Sequence, residues 1–156
     1  MSKKQPHHKK PLVNRRARFD YELGDTISAG VILTGAEVRG ARLGHVRLTG
    51  SYANLKQGEL WLTNLSISIP DTARKIGEDK ERTNPRKLLV TKKELKQIEE
   101  AKKQGLTIVP TRLFNQGHFI KIELSFAKGK KIHDKRQSIK GRDQARETKR
   151  MLKGSQ

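Results

Sequence analysis

The histidines and carboxylates are the side chains of this sequence that could perform acid–base or metal chemistry, but their spacing favours neither. The chain has five histidines and no cysteine, so zinc fingers, disulfides and thiol chemistry are excluded. No histidine pair has the i, i+4 spacing that would complete a metal site with a carboxylate. The sequence contains no glycine-rich phosphate loop and no Gly-x-Ser-x-Gly elbow. We therefore expect a protein that is not an enzyme and that has no metal and no cofactor.

Glu37 is the acidic residue whose surroundings allow a functional role. It lies in the segment 34–39, within an otherwise basic part of the chain. One interpretation is a carboxylate at a helix start, where the helix dipole favours negative charge. The other is a carboxylate that accepts hydrogen bonds from a base edge, or that orders an arginine in contact with RNA. The sequence leaves both interpretations open.

Positive charge is the dominant property of the chain, which carries a formal net charge of +19 over 156 residues. Residues 1–20 contain seven Lys and Arg against one acidic residue, and residues 127–156 contain eleven against three. Such an excess is unfavourable in a compact protein without a polyanionic partner. No stretch approaches the ~20 apolar residues of a spanning helix, and no apolar segment follows the basic residues 1–10 as in a secretion signal. We expect a cytoplasmic, nucleic-acid-binding protein without membrane association.

The aromatic content of 4% narrows the mode of binding. Proteins that read single strands usually present several exposed aromatic side chains for base stacking. We assign Trp61 and Tyr52 to the core, which leaves Phe19 and Tyr21 for the surface. A structured RNA held through its backbone and shape is therefore expected. Composition fits equally well a ribosomal protein that binds ribosomal RNA structurally, or a nonspecific nucleic-acid binder.

The elements that must position these residues are predicted to be mainly β-strands. Short apolar or alternating runs bounded by glycine or proline indicate an all-β barrel or sandwich. The runs cover residues 31–33, 51–55, 60–62, 87–90, 106–109 and 119–124. Lys56-Gln57-Gly58 predicts a hairpin turn. Thr91 and Glu94 form a capping box, and with Gly105 they delimit a predicted helix. A shorter helix is predicted to start near Gly35.

The chain divides into three predicted regions. Residues 1–13 form a flexible basic arm, residues 14–127 a single folded RNA-binding domain, and residues 128–156 a basic tail. Residues 71–84 are polar and predict a long mobile loop. The tail has too few apolar residues for a core, and repulsion between its charges predicts disorder in the free protein. With a single domain, we expect a monomer.

Six segments, occurring in order, resemble the SsrA-binding protein family (small protein B), the partner of transfer-messenger RNA in bacterial ribosome rescue. The segments are 14–21, 29–38, 51–53, 85–89, 105–110 and 127–136. The resemblance implies a closed, oligonucleotide-binding-like (OB-like) β-barrel with two or three helices, which grips the tRNA-like domain of that RNA. It also implies delivery of the RNA to stalled ribosomes for peptide tagging, known as trans-translation.

By motif position, the resemblance places RNA contacts, or the surface that supports them, at Asn14, Glu37, Arg42 and Leu89. For Leu89, a leucine of the barrel core is an equal alternative. The matching segments supply further basic and aromatic candidates for RNA binding, which are Arg15, Arg16, Arg18, Tyr21 and Lys87.

The resemblance also implies a role for the tail, which becomes helical in the vacant messenger-RNA channel and the decoding centre of the small ribosomal subunit. There it replaces the codon–anticodon pairing that transfer-messenger RNA lacks. Its Lys and Arg side chains would neutralise ribosomal RNA phosphates and release counterions. The tail residues predicted to bind the ribosome are Gly129, Lys130, Lys131, Asp134, Lys135, Arg136, Ile139, Lys140, Arg142, Met151, Leu152 and Lys153.

The chain departs from the family pattern at several positions. Phe19 stands where the family usually has His, so an imidazole contact there is lost or replaced by stacking. Ser28 stands where the family often has Glu, and His45 where it usually has Lys. In the tail, Gln144 replaces an aromatic residue that the family sometimes has.

Overall fold

A computed structural model describes residues 10–154 of the chain, which form a mainly β protein with four α-helices. The strands are β1 (Leu12–Val13), β2 (Tyr21–Val31), β3 (Val46–Arg47), β4 (Tyr52–Lys56), β5 (Glu59–Thr63), β6 (Ser66–Ser68), β7 (Glu81–Arg82), β8 (Arg86–Leu89), β9 (Thr107–Gln116) and β10 (Phe119–Gly129). The α-helices are α1 (Arg15–Asp20), α2 (Gly35–Arg42), α3 (Lys92–Lys103) and α4 (Ile132–Gly154), and a 3₁₀ turn covers Asp71–Ala73. The mainly β prediction is therefore confirmed.

Seven strands form one antiparallel sheet in the order β1-β9-β10-β2-β8-β5-β4. Strand β4 also pairs with β9, where Ala53 lies opposite Ile108. A small second sheet has the order β3-β6-β7. We call the strands together with α2 and α3 the β-sheet body. Its longest continuous pairings join β10 to β2 and to β9. Helix α1 leads into β2, and α4 follows β10.

The core lies on one face of the large sheet because side chains alternate between the two faces of a strand. Strand β5 buries Leu60 and Leu62, while β10 buries Ile120, Ile122 and Leu124. Helix α3 contributes Ile98 and Ala101 to the same cluster. These two residues, three positions apart, define the face that the helix buries.

Short sequence patterns predicted the hairpin turn and the start of α3, and the structure contains both. Gln57 and Gly58 have positive φ angles of 52° and 74°, as a two-residue hairpin turn between β4 and β5 requires. Thr91 and Glu94 form the capping box of α3, and Thr34 and Glu37 form an equivalent one at α2. Both helices start where a side chain satisfies amide groups that a helix leaves unpaired.

Three expectations about the less regular segments need correction. Leu12 and Val13, assigned to the flexible arm, pair with Leu113 and Arg112 of β9, because Leu12 packs on the core. Residues 1–9 of that arm lie outside the described residues. The predicted loop 71–84 contains the 3₁₀ turn and β7. Tyr52 and Trp61, both expected in the core, lie on the outer face, where Tyr52 is 38% exposed and Trp61 is half-buried.

The helix count also differs from the two or three that were expected. Helix α1 was not predicted, since it has six residues and depends on contacts made by Asn14. Helix α4 occupies the tail for which disorder was predicted, and no residue of it is buried. Disorder of the free tail is therefore not confirmed. Lys135 of α4 pairs with Asp20 of α1 at 3.4 Å, a contact that the tail sequence alone does not reveal.

Candidate nucleic-acid interface

Asn14 is a buried residue that makes structural contacts. Its side chain is 5% exposed, and its Oδ1 accepts a hydrogen bond from the amide of Ala17 at 3.2 Å, which caps α1. Its Nδ2 donates to the carbonyls of Pro110 at 2.9 Å and Leu48 at 3.3 Å. These contacts use both the acceptor and the donor group of the amide, which fits the supporting role among the two predicted for Asn14. Asn14 fixes α1 on the body.

Helix α1 presents the basic residues that Asn14 positions. Arg15, Arg16 and Arg18 are all exposed. Arg16 forms an ion pair with Asp20 at 3.0 Å, four residues later in the chain. Tyr21, the next candidate along the chain, is half-buried against the small cluster of Ala17, Val109 and Ala127. The structure thus brings three predicted RNA-binding arginines together on one short, anchored helix.

Glu37 is also buried, at 2% exposure, and the structure decides between its two interpretations. Its Oε2 accepts from the amide of Thr34 at 2.9 Å, so it closes the capping box of α2. Its Oε1 accepts from Nη2 and Nε of Arg86 at 2.8 and 3.2 Å. The helix-start interpretation is confirmed. The carboxylate is thus enclosed by its bonds to Thr34 and Arg86, and a contact of Glu37 with a base stays an untested prediction.

Arg86 is the partner that sequence reasoning missed. Besides Glu37, its guanidinium donates to the carbonyls of Leu65, Asn84 and Arg82 at 2.5, 3.1 and 3.0 Å. All three guanidinium nitrogens are thereby bonded within the protein. The available signal was strand alternation, since Arg86 is two residues from the core leucine Leu88 and must share its face. The arginine that Glu37 orders is therefore a buried structural clamp.

The outer side of β8 carries two of the predicted residues. Leu89 is 54% exposed, whereas Leu88 is the buried neighbour at 2%. The alternative that Leu89 belongs to the core is therefore wrong. Lys87 is half-buried and pairs with Glu59 at 2.5 Å, and its partner residue across the strands is Trp61.

Glycine on the neighbouring strand leaves this surface accessible. Gly30 lies opposite Leu89, and a Cβ at Gly30 would be 3.5 Å from the Cβ of Leu89. Ile32, which is 50% exposed, follows on the same outer side. We call Gly30, Ile32, Trp61, Lys87 and Leu89 the β8 face. It combines apolar, aromatic and basic side chains on a rigid sheet.

Arg42 lies apart from these two groups, at the end of α2. Its Nη2 donates to the carbonyl of His118 at 3.3 Å, so it joins α2 to the turn between β9 and β10. The side chain is half-buried. His45, at a position where the chain departs from the family pattern, is exposed just after this helix.

The predicted ribosome-binding residues fall on the end of β10 and on α4. Gly129 ends β10 opposite Tyr21. Lys130 donates from its amide to the carbonyl of Asp20 and from Nζ to the carbonyl of Arg18, both at 3.0 Å. The rest of the set lies on the linker and on α4, where Lys131, Asp134, Arg136, Lys140, Met151, Leu152 and Lys153 are exposed. The sequence located this element but missed its attachment to α1.

Other kinds of site find no support in residues 10–154. Over that range, no group of three or more His, Asp or Glu side chains is arranged to hold a metal ion. No helix in the described part of the chain is long and apolar enough to cross a membrane.

Comparison with known proteins gives a consistent result over almost the whole chain. The family model described as SmpB protein matches residues 12–154. An SsrA-binding protein of Ligilactobacillus salivarius is 42% identical over 154 residues, covering 98% of each chain. One from Synechococcus is 44% identical over 150 residues, covering 96% of this chain and 97% of the relative.

A solved structure gives the same result for the fold. It comes from work described as "tmRNA-SmpB: a journey to the center of the bacterial ribosome", and its chain is 40% identical with a TM-score of 0.63. The alignment covers 78% of this chain and 85% of that one. With the family model spanning the strands, α1 and α4, the chain belongs to the SmpB family of SsrA-binding proteins.

Proposed function

We propose that this protein binds transfer-messenger RNA, the SsrA RNA, and delivers it to stalled ribosomes for trans-translation. The observation that carries the proposal is the 42% identity to an SsrA-binding protein over 98% of both chains. The likeness to a chain solved in work on tmRNA-SmpB and the bacterial ribosome supports both partners. The charge of +19 supplies the attraction to a polyanion that both partners require.

We further propose which surface contacts the RNA. Arg15, Arg16 and Arg18 provide phosphate contacts from α1, while the β8 face provides apolar and aromatic contacts. Phosphate contacts position an RNA, and stacking or edge contacts select it. Arg42 extends the basic surface, whereas Asn14 and Glu37 support it from inside. An OB-like barrel closed through the β4–β9 pairing at Ala53 and Ile108 would hold these groups in fixed relation.

Helix α4 is the proposed ribosome-binding element. None of its residues is buried, so almost every side chain is available to a partner. Its eight Lys and Arg and three acidic residues leave a net charge of +5, which phosphates of ribosomal RNA would neutralise. We propose that α4 enters the vacant messenger-RNA channel and reaches the decoding centre, where it stands in for codon–anticodon pairing.

A competition experiment tests RNA recognition. Labelled transfer-messenger RNA bound to the protein is challenged with unlabelled transfer-messenger RNA or with elongator tRNA, at one fixed salt concentration. We expect transfer-messenger RNA to compete at a concentration at least tenfold lower. Equal competition by both RNAs would identify a nonspecific binder and refute the proposal.

Deletion of residues 128–156 tests the division of labour between body and tail. The truncated protein should retain selective RNA binding and lose peptide tagging in a reconstituted translation system. Loss of selective RNA binding together with tagging would contradict the assignment of RNA recognition to the body.

The exposed basic helix α4 also fits a protein that binds ribosomal RNA as a permanent structural component. Quantitative mass spectrometry of purified ribosomes separates the two functions. A rescue factor should be present at well below one copy per particle, whereas a structural component should approach one.

A further inference from the structure

Strand β2 has an edge that no other strand covers over most of its length. Strand β10 pairs with β2 from Tyr21 to Gly30, whereas β8 pairs only with Gly30 and Val31. Within residues 10–154, no strand adjoins residues 21–29 of β2 on the side away from β10. Alternate residues of an antiparallel strand direct their N–H and C=O groups to each side. The groups on the uncovered side are a template for pairing with another chain.

A groove follows this edge, between β2 and α3. It is open to solvent and has a volume of about 1030 Å³. Its apolar lining consists of four half-buried side chains, which are Leu23, Ile27, Leu106 and Phe126. Residues 22–27 of β2 line it without interruption, which corresponds to about 20 Å of extended strand. The groove, which we call the β2–α3 groove, therefore has the length of a six-residue extended peptide.

A β-bulge lies at the middle of the groove. Gly24 and Asp25 together occupy the place of one residue opposite Phe126 of β10. Such an extra residue disrupts the regular pairing and bends the strand. A Cβ at Gly24 would be 3.0 Å from the carbonyl oxygen of Phe126, which explains the glycine at this close approach. An incoming chain would therefore pair with β2 over only a few residues beside the bulge, and its side chains must contribute to binding.

The β2–α3 groove is acidic although the chain as a whole is strongly basic. Glu22 and Asp25 line one wall and Glu100 of α3 lines the other, against Lys128 of β10. Three carboxylates and one ammonium leave a net charge of −2 on a chain of +19. The three carboxylates are exposed, and in the part of the chain that the structure describes none of them forms an ion pair. They are thus free to bind external cations.

We propose that the β2–α3 groove binds an extended, basic segment of a partner protein, which lies beside β2 with its Lys or Arg side chains against the three carboxylates. In this mode of recognition, main-chain hydrogen bonds give affinity and alternate side chains give specificity. A sequence in which basic and apolar residues alternate matches the carboxylates of the walls and the apolar lining between them. The groove shares no residue with α1, the β8 face, Arg42 or α4, so this inference does not depend on the proposed function.

Two other roles for these carboxylates make different predictions. Charged residues and a bulge on an edge strand also prevent pairing between copies of one chain. That role needs carboxylates on β2 alone, whereas Glu100 adds a third from the opposite wall, and it predicts no affinity for a basic peptide. A nucleic acid is disfavoured as the occupant because its phosphates would be repelled by the negative lining.

Fluorescence anisotropy with synthetic peptides tests the proposal on the full chain. The probe is a labelled octapeptide in which lysine alternates with valine, titrated at physiological ionic strength. The net charge of the protein repels this peptide, so its binding reports on a local acidic site. We expect saturable binding, and at least fivefold weaker binding of a peptide with four lysines followed by four valines. Absence of saturable binding by the alternating peptide would overturn the proposal.

Substitution of the three groove carboxylates together should weaken binding about tenfold, since exposed ion pairs contribute little individually and add up. The triple variant carries Glu22→Gln, Asp25→Asn and Glu100→Gln. A control variant makes the same change in net charge at exposed positions outside the groove. It carries Glu99→Gln, Asp143→Asn and Glu147→Gln. The control should change the affinity by less than about twofold, and equal weakening in both variants would refute a specific site.

Methylation of the peptide backbone tests pairing along β2. Methyl groups on the amide nitrogens of either the odd or the even positions remove the donors on one side of an extended chain. One of these two peptides should bind at least fivefold more weakly than the other, because only one side faces β2. Equal affinities would contradict pairing along this edge.

Nuclear magnetic resonance of the isotope-labelled protein locates the bound peptide. Amide signals of residues 22–27 and 97–106 should shift on titration with the alternating peptide, while those of residues 87–89 on the β8 face should not. Shifts confined to surfaces outside the groove would assign the binding to another site and overturn the proposal.

Discussion

Arg86 donates two hydrogen bonds to the same carboxylate oxygen of Glu37, at 2.8 and 3.2 Å, and the two side chains are 1% and 2% exposed. A buried pair of this kind is costly to break because the remaining charge is left without a partner. The pair joins α2 to β8, the strand that presents Lys87 and Leu89 on its other face. This buried ion pair thus holds in place the strand that carries part of the proposed RNA-binding surface.

Substitution of Glu37 by Ala should therefore destabilise the protein strongly. We expect a loss of about 3–5 kcal/mol in the free energy of unfolding, since the charge of Arg86 would be buried without its counterion. Urea denaturation followed by circular dichroism measures the change. Glu94→Ala is the matched control, because Glu94 has the same capping role at α3 in an exposed setting. It should cost only about 1 kcal/mol, and an equal loss in both variants would contradict the clamp.

Substitution of Asn14 by Ala should act on RNA binding through stability. The change removes the cap of α1 and leaves the buried carbonyls of Leu48 and Pro110 without their donor, at a cost of about 2–3 kcal/mol. Denaturation curves give the stability, and RNA titration of the same sample at low temperature gives the affinity. A variant with normal stability and lost RNA affinity would restore a direct contact by Asn14.

Two adjacent residues of β8 allow a surface leucine and a core leucine to be compared in their effects on stability and on RNA binding. Leu89→Ala should change stability by about 0.5 kcal/mol or less, as surface substitutions usually do, and should weaken binding to transfer-messenger RNA. Leu88→Ala should cost about 2–5 kcal/mol because it creates a cavity in the core. RNA affinity and thermal denaturation are measured for both. Unchanged RNA affinity in Leu89→Ala would remove the β8 face from the proposed interface.

Salt dependence tests the arginines of α1. If Arg15, Arg16 and Arg18 each contact a phosphate, replacing all three by Gln should make the negative slope of log K against log salt shallower by roughly 2 to 3. Titrations between low and physiological salt give the slope. Arg112→Gln is the control, since this arginine lies on β9, outside α1, and its substitution also removes positive charge. A similar slope change in the control would indicate a general effect of net charge.

The sequence predicted best those features that depend on near neighbours along the chain. The hairpin at Gln57-Gly58 and the capping box at Thr91 are each set by residues within four positions. Local chemistry decides such structures, so they can be recognised without a fold.

The features that were missed depend on residues far apart in the sequence. Asn14 bonds to Pro110, which is 96 positions away, and Lys130 bonds to Arg18, which is 112 positions away. The burial of Arg86 follows from its pairing with Glu37, 49 positions earlier. Composition alone could not show that Asn14 and Glu37 are buried at 5% and 2% exposure. Only the folded arrangement supplies their partners.

The pairing of β2 with β10 has a mechanical consequence for α1 and α4. Helix α1 leads directly into Tyr21, and α4 follows shortly after Gly129, which is the partner of Tyr21 in the sheet. Both helices are therefore attached at the same end of the antiparallel β2–β10 pair. A force that pulled them apart would open that pair by unzipping, one hydrogen bond after another, beginning with the bonds of Lys130 to Asp20 and Arg18. A force between an RNA bound at α1 and a ribosome bound at α4 would first break the hydrogen bonds of this junction, before it disrupted the core.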